Sequence, residues 1–187
     1  MRKSRECDRV FGIKTKLTKE EKTVRKYMVA LGIAGLLAVS GCGQSEKLGA
    51  FQESIENFYA EVSGIESEIR HIDVKSEDAV TALLILLEQM SVQLDILAKA
   101  EVPDEFASVA ELAQDAQMYM TEASRLYQEA FSEDQVKEPY VEAAIENYES
   151  AMKRIDYIAV LLQGEIPEGA TVVEGEGNEF DPYTESE

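Results

Sequence analysis

Between Leu48 and Ile72 the apolar side chains fall at Leu48, Phe51, Ile55, Phe58, Val62, Ile65, Ile69 and Ile72, in steps of 3, 4, 3, 4, 3, 4 and 3. That rhythm places all of them on one stripe of an α-helix, whereas on a strand it would scatter them over both faces. The stretch therefore demands a helix with a heptad seam, and the seam demands other helices to cover it. Gly49 and Gly64 each weaken such a helix by about 1 kcal/mol, so packing has to supply its stability.

The same spacing returns three times. After a turn at Asp73-Val74-Lys75, Ser76 reads as an N-cap, with Glu77 and Asp78 on the positive end of the helix dipole. The second helix runs to about Ala100, with a seam of Val80, Leu83, Leu87, Met90, Leu94 and Leu97. It carries a second stripe, Ile85, Val92 and Ile96, with Gln89 between. A wide stripe serves a bundle helix that touches two neighbours. The alternative is a candidate partner face centred on Ile85. The uninterrupted run Ala79–Leu87 is nine residues, too short to span a bilayer.

Val102-Pro103-Asp104 breaks the chain, because Pro103 pushes Val102 out of helical geometry and Asp104 can cap the next helix. That third helix is expected from about Glu105 to Phe131. Two seams fit it equally: Val109, Ala113, Ala116, Met120, Ala123, Tyr127 and Ala130, or the same line with Leu112, Tyr119 and Leu126 replacing Ala113, Met120 and Tyr127. The fourth, from about Pro139 to Gln163, has Val141, Ala144, Tyr148, Ala151, Ile155, Ile158 and Leu162 in steps of 3, 4, 3, 4, 3 and 4. Pro139 suits a first turn and Gly164 a C′ position. Four helices of about 25 residues joined by short turns predict an all-α, up-down-up-down antiparallel four-helix bundle over residues 45–164.

Charge divides the rest of the chain. Residues 1–41 hold ten Lys and Arg against four Asp and Glu, a net of +6, while residues 42–187 hold eight against 33, a net of −25. The acidic part repels nucleic acid and anionic lipid, so nucleic-acid binding is set aside. The segment 165–187 has eight acids and no Lys or Arg, with Gly, Pro and Ser throughout, and reads as a disordered acidic tail.

Met28–Gly41 holds no charge in 14 residues, roughly 21 Å of helix against roughly 30 Å of hydrocarbon core. Lys22, Arg25 and Lys26 precede it, and Val39-Ser40-Gly41-Cys42 closes it. A basic segment, a short apolar run, two small residues and a cysteine together resemble the signal peptide and lipobox of bacterial lipoproteins. The resemblance covers about residues 22–43. It implies that Val39, Ser40 and Gly41 are read by a signal peptidase, and that Cys42 receives a covalent diacylglyceryl lipid and becomes the N-terminus. Residues 1–41 are then a targeting segment and 42–44 a lipidated spacer. No Asp follows Cys42, so the family's signal for inner-membrane retention is missing. Because 27 residues precede Met28, translation is expected to start further in, with Val24 as a GTG start, leaving residues 1–23 and Cys7 outside the protein.

Catalytic material is scarce. Glu68-Ile69-Arg70-His71 has the Glu-x-x-His spacing of di-iron bundles, but His71 is the one histidine, and Ile69 and Ile72 claim the inward face. A His-based triad has the same single candidate. Glu174-Gly175-Glu176-Gly177-Asn178, with Glu185 eleven residues beyond Glu174, is a faint likeness of a calcium loop, spoiled by Glu179 at the turn and by Pro182. Tyr119, Tyr127 and Tyr148, set among small alanines, are candidates for a ligand pocket between the third and fourth helices; core tyrosines with hydroxyls at the bundle edge explain them as well. No catalytic residue, metal site or cofactor beyond the lipid is expected. The chain reads as a non-enzymatic, membrane-anchored interaction module with an envelope protein as partner. The runner-up is a small-ligand or cation binder that uses the bundle interior or the tail.

Overall fold

The computed structural model describes residues 44–133 and 135–164, and the backbone of 171–173 and 179–181. Val39, Ser40, Gly41, Cys42, Cys7 and the 174–178 and Glu185 positions lie outside the described residues. Four α-helices dominate the described residues: α1 Gln44–His71, α2 Ala79–Ala98, α3 Ala107–Ala130 and α4 Glu138–Leu162. A turn of 3₁₀ helix, Asp104–Phe106, leads into α3.

Every seam residue of α1 from Phe51 to Ile69 is buried, as is Ile72 just past its end. They meet Leu83, Leu87, Met90, Leu94 and Leu97 of α2 in one apolar cluster. On α3 both candidate seams contribute: Val109, Ala113, Ala116, Met120, Ala123, Tyr127 and Ala130 are buried, and Leu112 and Leu126 with them. The alanines let a neighbour come close. Accordingly α3 and α4 share the most extensive backbone contact of the helix pairs, and α1 and α2 the least of the consecutive ones.

Three ties fix relative placement. Phe51, near the start of α1, stacks on Phe106 at the entry to α3, with ring centroids 5.3 Å apart. The Tyr59 hydroxyl donates to the Ile155 carbonyl at 3.1 Å, joining α1 to α4. Ser91 of α2 and Thr121 of α3 share a hydroxyl–hydroxyl bond of 2.9 Å.

The helix ends correct the sequence reading. Ser76 does not cap α2; the N-cap is Asp78, without a side-chain capping bond. The Asp73 Oδ1 atom accepts from the Lys75 amide at 3.0 Å, and the Ser76 Oγ atom accepts from the Asp78 amide at 3.3 Å. Both short polar side chains thus stabilise the turn, and the helix starts later. Asp104 opens the 3₁₀ turn after Pro103 rather than capping α3, whose N-cap is Phe106. Gly164 does occupy the expected position after α4, at φ 73°.

The tail also departs from expectation. Thr171–Val173 and Glu179–Asp181 pair as antiparallel strands β1 and β2, with Val172 opposite Phe180. β-branched Thr171, Val172 and Val173 and aromatic Phe180 favour extended backbone, against the acidic composition that argued for disorder. A two-stranded ladder alone is marginal in water.

Among the described residues α2 is the one helix long and apolar enough to cross a membrane. A third of its apolar window is buried inside the bundle, and Leu83, Leu86, Leu87, Met90, Leu94 and Leu97 form that buried stripe.

Candidate functional site

The sequence left two regions open, and their environments are opposite. Tyr127 and Tyr148 are buried in the bundle. The Tyr127 ring stacks on Phe131 at 6.4 Å, and burial pushes its phenol well above the ordinary range. Its hydroxyl has no protein hydrogen-bond partner among the described residues. Tyr119 lies nearer the surface, where the Arg154 guanidinium stands 4.7 Å over its ring. So Tyr127 packs as core and Tyr119 as the base of a cation–π pair.

Ile85, Val92 and Ile96 point outward, with 50%, 50% and 57% of their surfaces exposed. The α2 core stripe is complete without them, because Leu83, Leu87, Met90, Leu94 and Leu97 already face α1 and α3. Ile85 and Val92 form one wall of a groove of about 480 Å³ between α1 and α2. Ile65, Glu61, Glu88, Gln89 and Gln93 complete the lining. Ile96 continues the apolar line one turn further along α2.

The groove arises from local sequence. On α2, Ile85, Gln89, Val92 and Ile96 step by 4, 3 and 4, a second seam beside the buried one. On α1, Glu61 and Ile65 are one turn apart, so they meet that seam together. Sequence reasoning found the α2 stripe but missed Glu61 and Ile65. Only the pairing of α1 with α2 brings them alongside it.

Electrostatically the rim is acidic and unneutralised. Glu61 and Glu88 are exposed and have no ion-pair partner among the described residues. Several acids elsewhere do have one: Asp95 with Lys99 at 2.8 Å, Glu122 with Arg125 at 2.6 Å, and Glu129 and Glu133 with Lys137 at 2.8 and 2.9 Å.

Glu68 and His71 both face solvent, and the His71 Nδ1 atom donates to the Ser67 carbonyl at 2.6 Å within α1. Among the described residues, no three His, Cys, Asp or Glu side chains are grouped as metal ligands would be. The chain matches no protein-family model, no curated protein and no solved structure.

Proposed function

We propose that the chain is a membrane-anchored lipoprotein of the cell envelope whose helical domain, residues 45–164, is a non-enzymatic protein-interaction module. Residues 1–41 direct export, Cys42 carries the lipid, residues 42–44 are the spacer and 165–187 form an acidic tail. Two acyl chains suffice for stable anchoring. The anchoring rests on the Val39-Ser40-Gly41-Cys42 sequence after its apolar run.

The interaction role rests on one observation. Three neighbouring β-branched side chains of α2 stand about half exposed beside a groove, while the helix's core stripe is already filled. Isolated exposed apolar residues are ordinary, but a row at heptad spacing is the pattern by which a helix is received.

The bundle is taken to be up-down-up-down and antiparallel. Phe51 and Phe106 meet at the starts of α1 and α3, so these two helices begin at one end. Tyr59 lies in the middle of α1 and Ile155 late in α4, a contact compatible with opposite directions. That topology brings both ends of the domain, and with them the tail, close to the lipid.

Anchoring is tested in cells with a fatty-acid analogue. Cys42→Ala is expected to abolish labelling and to accumulate uncleaved precursor; undiminished labelling refutes the anchor. The interaction role is tested by placing a photocrosslinker at Val92 and, as control, at exposed Met118 of α3. A discrete adduct to an envelope protein from Val92 alone supports it, and identical patterns from both positions refute it.

A further inference from the structure

We propose that the groove between α1 and α2 receives a basic amphipathic helix from a partner protein. This rests on the interaction-module reading and supplies the chemistry of the partner.

Shape requires an elongated apolar ligand. Ile85, Gln89, Val92 and Ile96 lie at the spacing that faces a helix laid along α2, and Ile65 closes the groove from α1. The occupant needs apolar residues about one turn apart to meet Ile85, Val92 and Ile96 in succession.

Charge selects among the proteins that could supply such a helix. Glu61 and Glu88 flank the apolar line with exposed carboxylates that no described cation neutralises. They belong to a chain whose residues 42–187 carry a net −25. Lys or Arg beside the apolar line of the incoming helix pair with Glu61 and Glu88 and are steered in by the whole domain's field. A second copy of this chain fits badly. Two copies would bring the Glu61 and Glu88 carboxylates of each groove up against the same carboxylates of the other. An anionic membrane is repelled by the same rim.

The test uses the full chain in nanodiscs of neutral phosphatidylcholine and two synthetic amphipathic helical peptides, one of leucine and lysine, one of leucine and glutamate. The leucine–lysine peptide is expected to bind with an affinity that falls as salt rises, and the leucine–glutamate peptide to bind at least about tenfold more weakly. Val92→Asn is expected to weaken the first peptide about tenfold. The pair Glu61→Gln with Glu88→Gln is expected to flatten the salt dependence. Met118→Asn, an equally exposed apolar site on α3, is expected to change neither. Circular dichroism confirms that each variant is folded; Ile85→Asn stands in should Val92→Asn unfold.

Equal binding to wild type and the groove variants overturns the proposal, since the peptide then coats the acidic surface at large. Equal binding of both peptides overturns the charge argument. Self-association in sedimentation that Val92→Asn abolishes assigns the face to a second copy instead, and binding to empty discs alone assigns the signal to lipid. Each comparison keeps Cys42 and the discs the same and changes only the groove or the peptide, so failure here is distinguishable from loss of labelling in Cys42→Ala. A Val92 crosslink to a segment without a basic helix keeps the interaction role and sinks the partner class.

Discussion

The Tyr59 hydroxyl donates a 3.1 Å hydrogen bond to the Ile155 carbonyl, bridging α1 and α4. Ile155 lies inside α4, where its carbonyl also belongs to the helix ladder. The bond is therefore an added tie, and losing it strands no acceptor. Tyr59→Phe is expected to cost about 0.5–1.5 kcal/mol, read as a lower urea midpoint with an unchanged slope. Tyr127→Phe makes the contrast: its hydroxyl has no protein partner among the described residues, so removal is expected to be neutral or stabilising. A larger loss from Tyr127→Phe than from Tyr59→Phe would reverse this assignment.

The same two phenols predict a response to alkali. Burial raises both above their ordinary value of 10.0, and the charge of Asp156 raises Tyr59 further. The folded chain holds both protonated while the unfolded chain releases protons. Their contribution is thus complete below pH 10.0 and shrinks as pH climbs above it. Thermal melts from roughly pH 8 to pH 11 should show a steepening fall in stability. The Tyr59→Phe and Tyr127→Phe double variant should flatten it; an unchanged fall would mean that other groups drive alkaline unfolding.

How much of this was legible in the sequence depended on whether a feature was local. Leu48 to Ile72 dictated α1 because its spacing admits one periodicity. The α3 seam stayed ambiguous for a physical reason: Ala113 and Leu112 are both buried, since that helix packs on more than one neighbour. Ser76 looked like a cap because its chemistry suits one, but Asp73 and Ser76 both spend their oxygens on the preceding turn. The strand pairing of Val172 with Phe180 was hidden by surrounding acids and glycines. The exposed stripe was visible from α2 alone, whereas Glu61 and Ile65 joined the groove only through tertiary pairing.

Lys137 fastens the α3–α4 connection. Its Nζ atom lies 2.8 Å from Glu129 and 2.9 Å from Glu133, 3.3 Å from the Ser132 hydroxyl, and 5.7 Å from the Tyr140 ring centroid. Hydrogen bonds to the two carboxylates push its ammonium well above the ordinary range. Lys137→Met keeps the aliphatic stem and the backbone bond from Lys137 to Ala130, 3.0 Å, and removes the charge. Because the site is solvated, the variant is expected to melt at most a few degrees lower in dilute buffer, and the difference should vanish at about 1 M salt. A loss that persists in high salt would show that packing of the stem, not the charge cluster, holds the connection.

Gly64 offers the opposite kind of change. It lies inside α1 with ordinary helical backbone, and a Cβ built there meets nothing within 4 Å. Nothing in the folded protein therefore needs the missing side chain. Alanine restricts the unfolded chain and favours the helix, so Gly64→Ala is expected to raise stability by about 0.5–1 kcal/mol. Gly49, also in α1 with nothing within 4 Å, is the matched comparison. It lies near the start of the helix, where fraying dilutes propensity, so Gly49→Ala should gain less. Urea titration of both variants decides the point. Stabilisation by Gly49→Ala but not Gly64→Ala would place a constraint on the middle of α1, beside Glu61 and Ile65, that the geometry of the free bundle does not contain.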